Sequence, residues 1–160
     1  MFWRIGSVTR DRDHPAEISC KGRRPGTDGE SFTILASSPA GRREYMEQAL
    51  YLHALDLFNR AAFFDAHEVW EDVWRAAPLE EKKFLQGLIQ IAVAFHHHST
   101  GNLVGARSLL ERGTRNLQGY PEEHGDLRLA VFLHSLVPWK QALADGSSPP
   151  PLPHIQRCEG

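Results

Sequence analysis

From about residue 44 to about residue 145, apolar side chains recur at intervals of three and four, and no alternating run bounded by hairpin residues interrupts them. That period confines the chain to helices packed on helices. An all-α bundle of about five helices is predicted, within a chain of 160 residues that has room for one core. Before it, residues 1–43 read as a disordered tail, because Gly, Pro, Ser and Arg crowd residues 21–29 and 37–41 and leave too little to bury. Phe2, Trp3, Phe32, Ile34 and Leu35 leave room there for a short docking segment, and Met46 is an alternative start. After it, residues 146–160 hold Ser-Ser-Pro-Pro-Pro-Leu-Pro and read as a solvated, disordered tail, with docking into an aromatic-lined partner groove as the alternative.

The first helix is expected over about residues 44–60, with Met46, Leu50, His53, Leu57 and Ala61 on its inner face. A second runs from about 63 to 76 and is stopped by Pro78, which disfavours helical geometry in the residue before it. The third opens on Leu79-Glu80-Glu81, acids suited to the positive end of the helix dipole, and runs to about 98. Gly101 supplies a terminating position, and Asn102 caps a fourth helix at about 103–117, with Leu103, Ala106, Leu110, Gly113 and Leu117 inward and Glu111 paired to Arg115. The fifth starts near Asp126, presents Leu129, Phe132, Leu133 and Leu136, and bends or ends at Pro138; Trp139 and Leu143 close one end of the core. Gly87 and Gly105 read as close-packing points between helices, and Arg107, Arg112 and Arg115 as a solvated row.

Eighteen Lys and Arg against twenty Asp and Glu give a net charge of −2, so no cationic field gathers nucleic acid or an anionic membrane. No apolar run approaches the roughly 20 residues a membrane span needs, and charges occupy the start where a signal peptide is apolar, so a cytoplasmic protein is expected. The two cysteines, Cys20 and Cys158, build neither a disulfide framework nor a thiolate metal site.

The second helix carries chemistry. At 100° per residue, His67 and Glu71 fall within an aromatic face made by Phe63, Phe64, Trp70 and Trp74. The short Ala77-Pro78 link makes the second and third helices a central antiparallel hairpin, in which facing residue numbers sum to about 157. Glu71 then faces Gln86, and His67 faces Gln90. A buried carboxylate or an unpaired amide is costly, so the expectation is a polar cluster of His67, Glu71, Gln86 and Gln90 whose members satisfy one another.

Together, Phe64-Asp-Ala-His67-Glu68-Val-Trp70-Glu71-Asp-Val-Trp74-Arg75, then Leu85-Gln86-Gly87-Leu88-Ile89-Gln90, then Gly101-Asn102-Leu-Val-Gly105-Ala106 resemble the domain of unknown function 309 family of bacteria and archaea, over about residues 45–136. The resemblance implies a small all-helical domain and brings no activity with it.

Three functional readings follow. In the first, the cluster is a structural lock and the protein is a small binding or interaction module for a protein or small polar ligand; nearly all-round apolar helices leave self-association open. In the second, a hydrolase-like enzyme uses His67 as general base, oriented by Glu71, with Glu68 on the rim; no nucleophilic Ser, Thr or Cys accompanies them. In the third, His67 and Glu71 bind a divalent metal, although His67-Glu68-x-x-Glu71 departs from the His-Glu-x-x-His zinc pattern at one ligand and the facing carboxamides are weak donors. No cofactor is expected. His96-His97-His98 reads as a helix-end cluster favoured by the dipole.

Overall fold

The computed structural model describes residues 39–158, with side chains from Met46 onward; the expectations for residues 1–38, including Cys20 and the aromatic docking segment, lie outside the described residues. Six helices follow in order: α1 (Pro39–Asn59), α2 (Phe63–Ala76), α3 (Leu79–Ser99), α4 (Leu103–Leu117), α5 (Leu129–Ser135) and α6 (Val137–Asp145). No strand occurs among the described residues, only isolated bridges joining His124 to Leu127 and Leu127 to Arg157.

Local chemistry sets the boundaries. Ala77 is extended, with ψ 148°, because Pro78 follows it, and α3 starts on the next residue. Gly101 takes a left-handed φ of +82°, and the Asn102 side chain accepts the amide N–H of Gly105 at 3.0 Å, capping α4 as expected. The predicted fifth helix is instead two short ones, for Leu136 separates α5 from α6 and Pro138 sits in the first turn of α6, where its missing N–H costs nothing.

The third helix is the centre. It packs most extensively on α4 and next on α2, while α2 packs in turn on α1. The α2–α3 register agrees with the expected hairpin: the Trp74 indole donates to the Lys82 carbonyl at 3.1 Å, and Phe63 stacks on Phe95 with ring centroids 5.2 Å apart. Lys82 completes the clasp, because its ammonium bonds the Trp74 carbonyl at 2.9 Å while lying 4.4 Å over the Trp74 ring. At the core's middle, Phe58 meets Phe63, Trp70, Phe95 and Phe132, three of them edge to face.

Several expectations are corrected. Helix α1 begins at Pro39, so residues 39–43 are helical, and it buries Tyr51, Ala54, Leu55 and Phe58 rather than the Met46, Leu50 and His53 stripe. The true face lies roughly 120° around the helix from the predicted one, because the two aromatic rings displace the smaller stripe. Ala61 lies beyond the helix end, in a left-handed turn with φ +62°. On α4, Leu103 is half-exposed, and Glu111 pairs with Arg107 at 3.3 Å rather than with Arg115. Gly87 does meet α4 at close range, whereas the nearest neighbour of Gly105 is its own Asn102 cap.

The largest departure is at the C-terminal end. Residues 146–158, expected as a solvated tail, fold back onto the bundle, with Ile155 only 2 % exposed. Asn59 holds the Ile155 backbone from both sides, accepting its N–H at 2.8 Å and donating to its carbonyl at 2.9 Å.

Candidate functional site

The structure disperses the quartet. His67 is buried at 5 % exposure, and its Nδ1 bonds the Phe64 carbonyl. Glu71 turns to its own helix's outer side and pairs with Arg75 at 3.3 Å. Gln86 is exposed, and the Gln90 carbonyl accepts from Asn116 of α4 at 3.1 Å. None of the four bonds another of the four, so the expected cluster and the lock built on it are corrected. The register agrees with the expected one and the rotation differs: α4 takes the side of α3 centred on Gly87 and draws Gln90 toward itself, so the face opposite α2 is apolar.

This geometry also separates the candidate catalytic residues. Glu68 is exposed, Glu71 belongs to the surface ion pair with Arg75, and neither orients the His67 imidazole. Among the described residues no group of three or more His, Cys, Asp or Glu side chains is placed to hold a metal ion, His67 and Glu71 included. The three consecutive histidines diverge: His96 lies by Phe64, His97 bonds Asn102, and His98 sets its edge against Trp139.

Chemistry instead gathers at the other end of the α2–α3 hairpin. Here the α2–α3 turn, α1 and the loop after α4 enclose a cleft of about 330 Å³, lined by Glu47, Gln48, Tyr51, Glu81 and Gly125 together with the apolar Val73, Pro78, Phe84 and Leu85. The loop is a tight reversal in which His124 and Leu127 exchange both backbone hydrogen bonds, at 3.0 and 3.1 Å, across Gly125 and Asp126. Both central residues have positive φ, +56° and +60°, the geometry of a two-residue hairpin turn. Only glycine fits the first position, because a Cβ there would stand 2.9 Å from the Phe84 ring and 3.0 Å from the Tyr51 hydroxyl.

Side chains fix this loop to the helices. The Tyr51 hydroxyl donates to the Gly125 carbonyl at 2.7 Å, Gln48 donates to the Asp126 carboxylate at 3.0 Å, and His124 Nε2 lies 3.2 Å from Glu81. The His124 ring is wedged between Phe84 and Tyr120, each with its centroid 4.6 Å away. Burial, and then the nearby Asp126 and Glu81 carboxylates, push the Tyr51 phenol well above its ordinary range, so it is a neutral donor and no nucleophile.

That shift has a sign. A folded-state pKa raised above the unfolded value of about 10 gives stability that is complete below pH 10 and is lost as pH rises beyond it, with a slope approaching about 1.4 kcal/mol per pH unit. Urea unfolding between pH 9 and 11 is expected to show this fall, and Tyr51→Phe is expected to flatten it at the cost of one hydrogen bond, about 1 kcal/mol at neutral pH. An unchanged alkaline slope in Tyr51→Phe would refute the assignment.

None of these cleft residues was singled out for function in the sequence. Glu81 read as a dipole acid, and Tyr51 lay off the predicted α1 face. Gly125-Asp126 between His124 and Leu127 was the available signal, a turn dipeptide inside a segment read only as a helix start.

Comparison with known proteins finds a family that part of the chain resembles. The sequence model of the family described as domain of unknown function (DUF309) matches residues 51–109. The chain is 37% identical over 68 residues to the uncharacterized protein YpuF of Bacillus subtilis (strain 168), which covers 42% of this chain and 39% of that protein. It is 27% identical over 117 residues to an uncharacterized protein of Aquifex aeolicus (strain VF5), covering 71% of this chain and 34% of that one. The chain therefore spans 39% and 34% of the length of these two relatives. No helix among the described residues is long and apolar enough to cross a membrane. The expected resemblance to the domain of unknown function 309 family is thus shown over residues 51–109, from Tyr51 on α1 to Leu109 on α4, a narrower stretch than the motifs suggested.

Proposed function

We propose that this helical domain is a binding module acting in the cytoplasm, and that its cleft takes up a lysine or arginine side chain of a partner protein. The observation that carries this reading is the pairing, in one cleft, of an apolar lining, Val73, Pro78, Phe84 and Leu85, with the Glu81 carboxylate. An aliphatic stem with a cationic head matches both parts, since the stem is desolvated along the apolar side chains while the charge meets Glu81. Binding is favoured over catalysis by the side chains at hand. Among the described residues the lining holds no Ser, Thr, Cys or Lys, and the Tyr51 hydroxyl is neutral and already bonded to Gly125.

The test is a titration of the isotope-labelled full chain with the peptide Gly-Gly-Lys-Gly-Gly and its norleucine counterpart, followed by amide shifts. Shifts centred on Tyr51, Glu81 and Gly125 are expected with lysine, roughly tenfold weaker binding with norleucine, and a similar loss in Glu81→Gln, as removal of about 1.4 kcal/mol of charge pairing implies. Equal responses to the two peptides, or shifts spread over the surface, would remove the basis for this function.

A further inference from the structure

The seated C-terminal segment identifies a second binding surface, remote in character from the acidic cleft. Residues 151–158 lie extended against α1, α6 and the loop before α5, and the bundle reads their backbone at four residues. The Trp139 indole donates to the Pro151 carbonyl at 3.0 Å. Asn59 brackets Ile155 with bonds of 2.8 and 2.9 Å. Arg128 N–H donates to the Gln156 carbonyl at 3.0 Å, and Cys158 N–H donates to the Asp126 carbonyl at 2.9 Å.

Side chains are read at alternate positions. Pro153 and Ile155 are buried, while Leu152, His154 and Gln156 face outward. Trp139 is itself held rigid, with Phe95 edge-on at 4.9 Å and His98 at 5.0 Å. Main-chain bonds that supply affinity, pockets for every second side chain, and an indole donating to the carbonyl of a proline-stiffened backbone are the parts by which receptor domains capture extended peptides.

We infer that the surface formed by Asn59, Trp139 and the 126–128 loop is a receptor groove for an extended Pro-x-Ile peptide, that the chain's own C-terminal segment is its tethered occupant, and that a Pro-x-Ile segment of a partner protein exchanges with it. The fit is carried largely by backbone groups, which any segment of that shape presents. The tether explains why the resident segment holds the groove: α6 ends at Asp145, six residues before Pro151, so the segment is offered at high effective concentration. A second copy is the poorer occupant, because its segment is held by its own groove, and a swap between copies exchanges identical contacts while adding the entropy cost of association. A segment from a protein without such a groove leaves no groove of its own behind, so it docks at the cost of association and of displacing the resident alone.

The experiment uses the full chain and a fluorescein-labelled peptide with the sequence of residues 148–158, its cysteine replaced by serine. Ile155→Asp, which expels the resident segment, is expected to bind the peptide with micromolar affinity, and wild type at least about 100-fold more weakly. Trp139→Phe added to Ile155→Asp is expected to reduce binding at least fivefold, and a peptide carrying Asp at the Ile155 position is expected not to bind. Hydrogen exchange on the wild-type chain decides the matter independently should Ile155→Asp fail to fold. The Ile155 and Cys158 amides are expected to exchange at least tenfold faster than Ile91 in α3, as a segment that opens without global unfolding does. Exchange at the Ile91 rate, or equal peptide binding by wild type and Ile155→Asp, would overturn the inference. A wild-type dimer in sedimentation that dissociates when Ile155→Asp is introduced would also overturn it, by giving the groove to a second copy.

Discussion

Trp70→Ala is expected to lower stability by about 3–5 kcal/mol, and Trp70→Phe by less than about 1.5 kcal/mol. Trp70 is the largest fully buried side chain among the described residues, at 0 % exposure, and its ring lies 5.9 Å from that of Phe58 in the aromatic centre that joins α1, α2, α3 and α5. Truncation to alanine opens a cavity that these packed rings cannot close. Phenylalanine leaves a smaller void and also removes a liability, because the Trp70 indole N–H is buried without a hydrogen-bond partner among the described residues. An unmet buried donor costs about 1–3 kcal/mol, so its removal offsets much of the lost packing. Urea unfolding with an unchanged denaturant slope measures both variants. Equal losses for the two would mean that the indole N–H is satisfied and that its hydrogen bond, removed in both variants, outweighs the packing of the ring.

The contrast with Trp74 shows what selection of a hairpin register requires. Both tryptophans sit on the inner side of α2, but the Trp74 indole reaches the Lys82 carbonyl while Lys82 caps the carbonyl of Trp74 in return. This reciprocal clasp, with the Phe63 and Phe95 stack at the far end, fixes the alignment, and His67, Glu71, Gln86 and Gln90 do not. The spacing of Ala77-Pro78 made that alignment legible in the sequence. What the spacing leaves undetermined is rotation about the helix axis, and α3 is apolar on nearly every side, so its pattern does not say which face meets α2 and which meets α4.

The same limit explains the reading of α1, whose Met46 and Leu50 stripe competed with Tyr51, Ala54, Leu55 and Phe58. Helix ends were legible where a residue type carries the boundary by itself, as Pro78, Gly101 and Asn102 do. The acidic cleft was not, because its residues come from Tyr51 on α1, Glu81 on α3 and the loop at Gly125, and only the fold brings them together. Docking of the Pro-rich segment escaped for a different reason. Its affinity lies in backbone groups met by Asn59 and Trp139, and composition records side chains only.

Gly113→Ala is expected to destabilise the domain by about 2–3 kcal/mol, although alanine is favoured over glycine in a helix by about 1 kcal/mol. Gly113 lies where α4 crosses α3, and a Cβ there would stand 2.8 Å from the Gly87 carbonyl oxygen, 3.1 Å from the Ile91 nitrogen and 2.7 Å from Ile91 Cγ1. The Ile91 side chain can turn aside, but the two backbone atoms can retreat only if the helices move apart. Separation would loosen the most extensive helix contact in the fold, along which Ile91, Leu110 and Leu117 are buried. Gly87→Ala is expected to cost less, because its closest obstacles, at 2.7 Å, belong to the Leu117 side chain, and the nearest backbone atom is the Gly113 oxygen at 3.2 Å. Gly119→Ala meets nothing within 4 Å and is expected to stay within about 0.5 kcal/mol of the parent. Denaturation midpoints for the three variants check this order. If Gly113→Ala proved as stable as the parent, α3 and α4 would have to cross at a greater distance than this structure gives, and the placement of Gln90 beside Asn116 would fail with it.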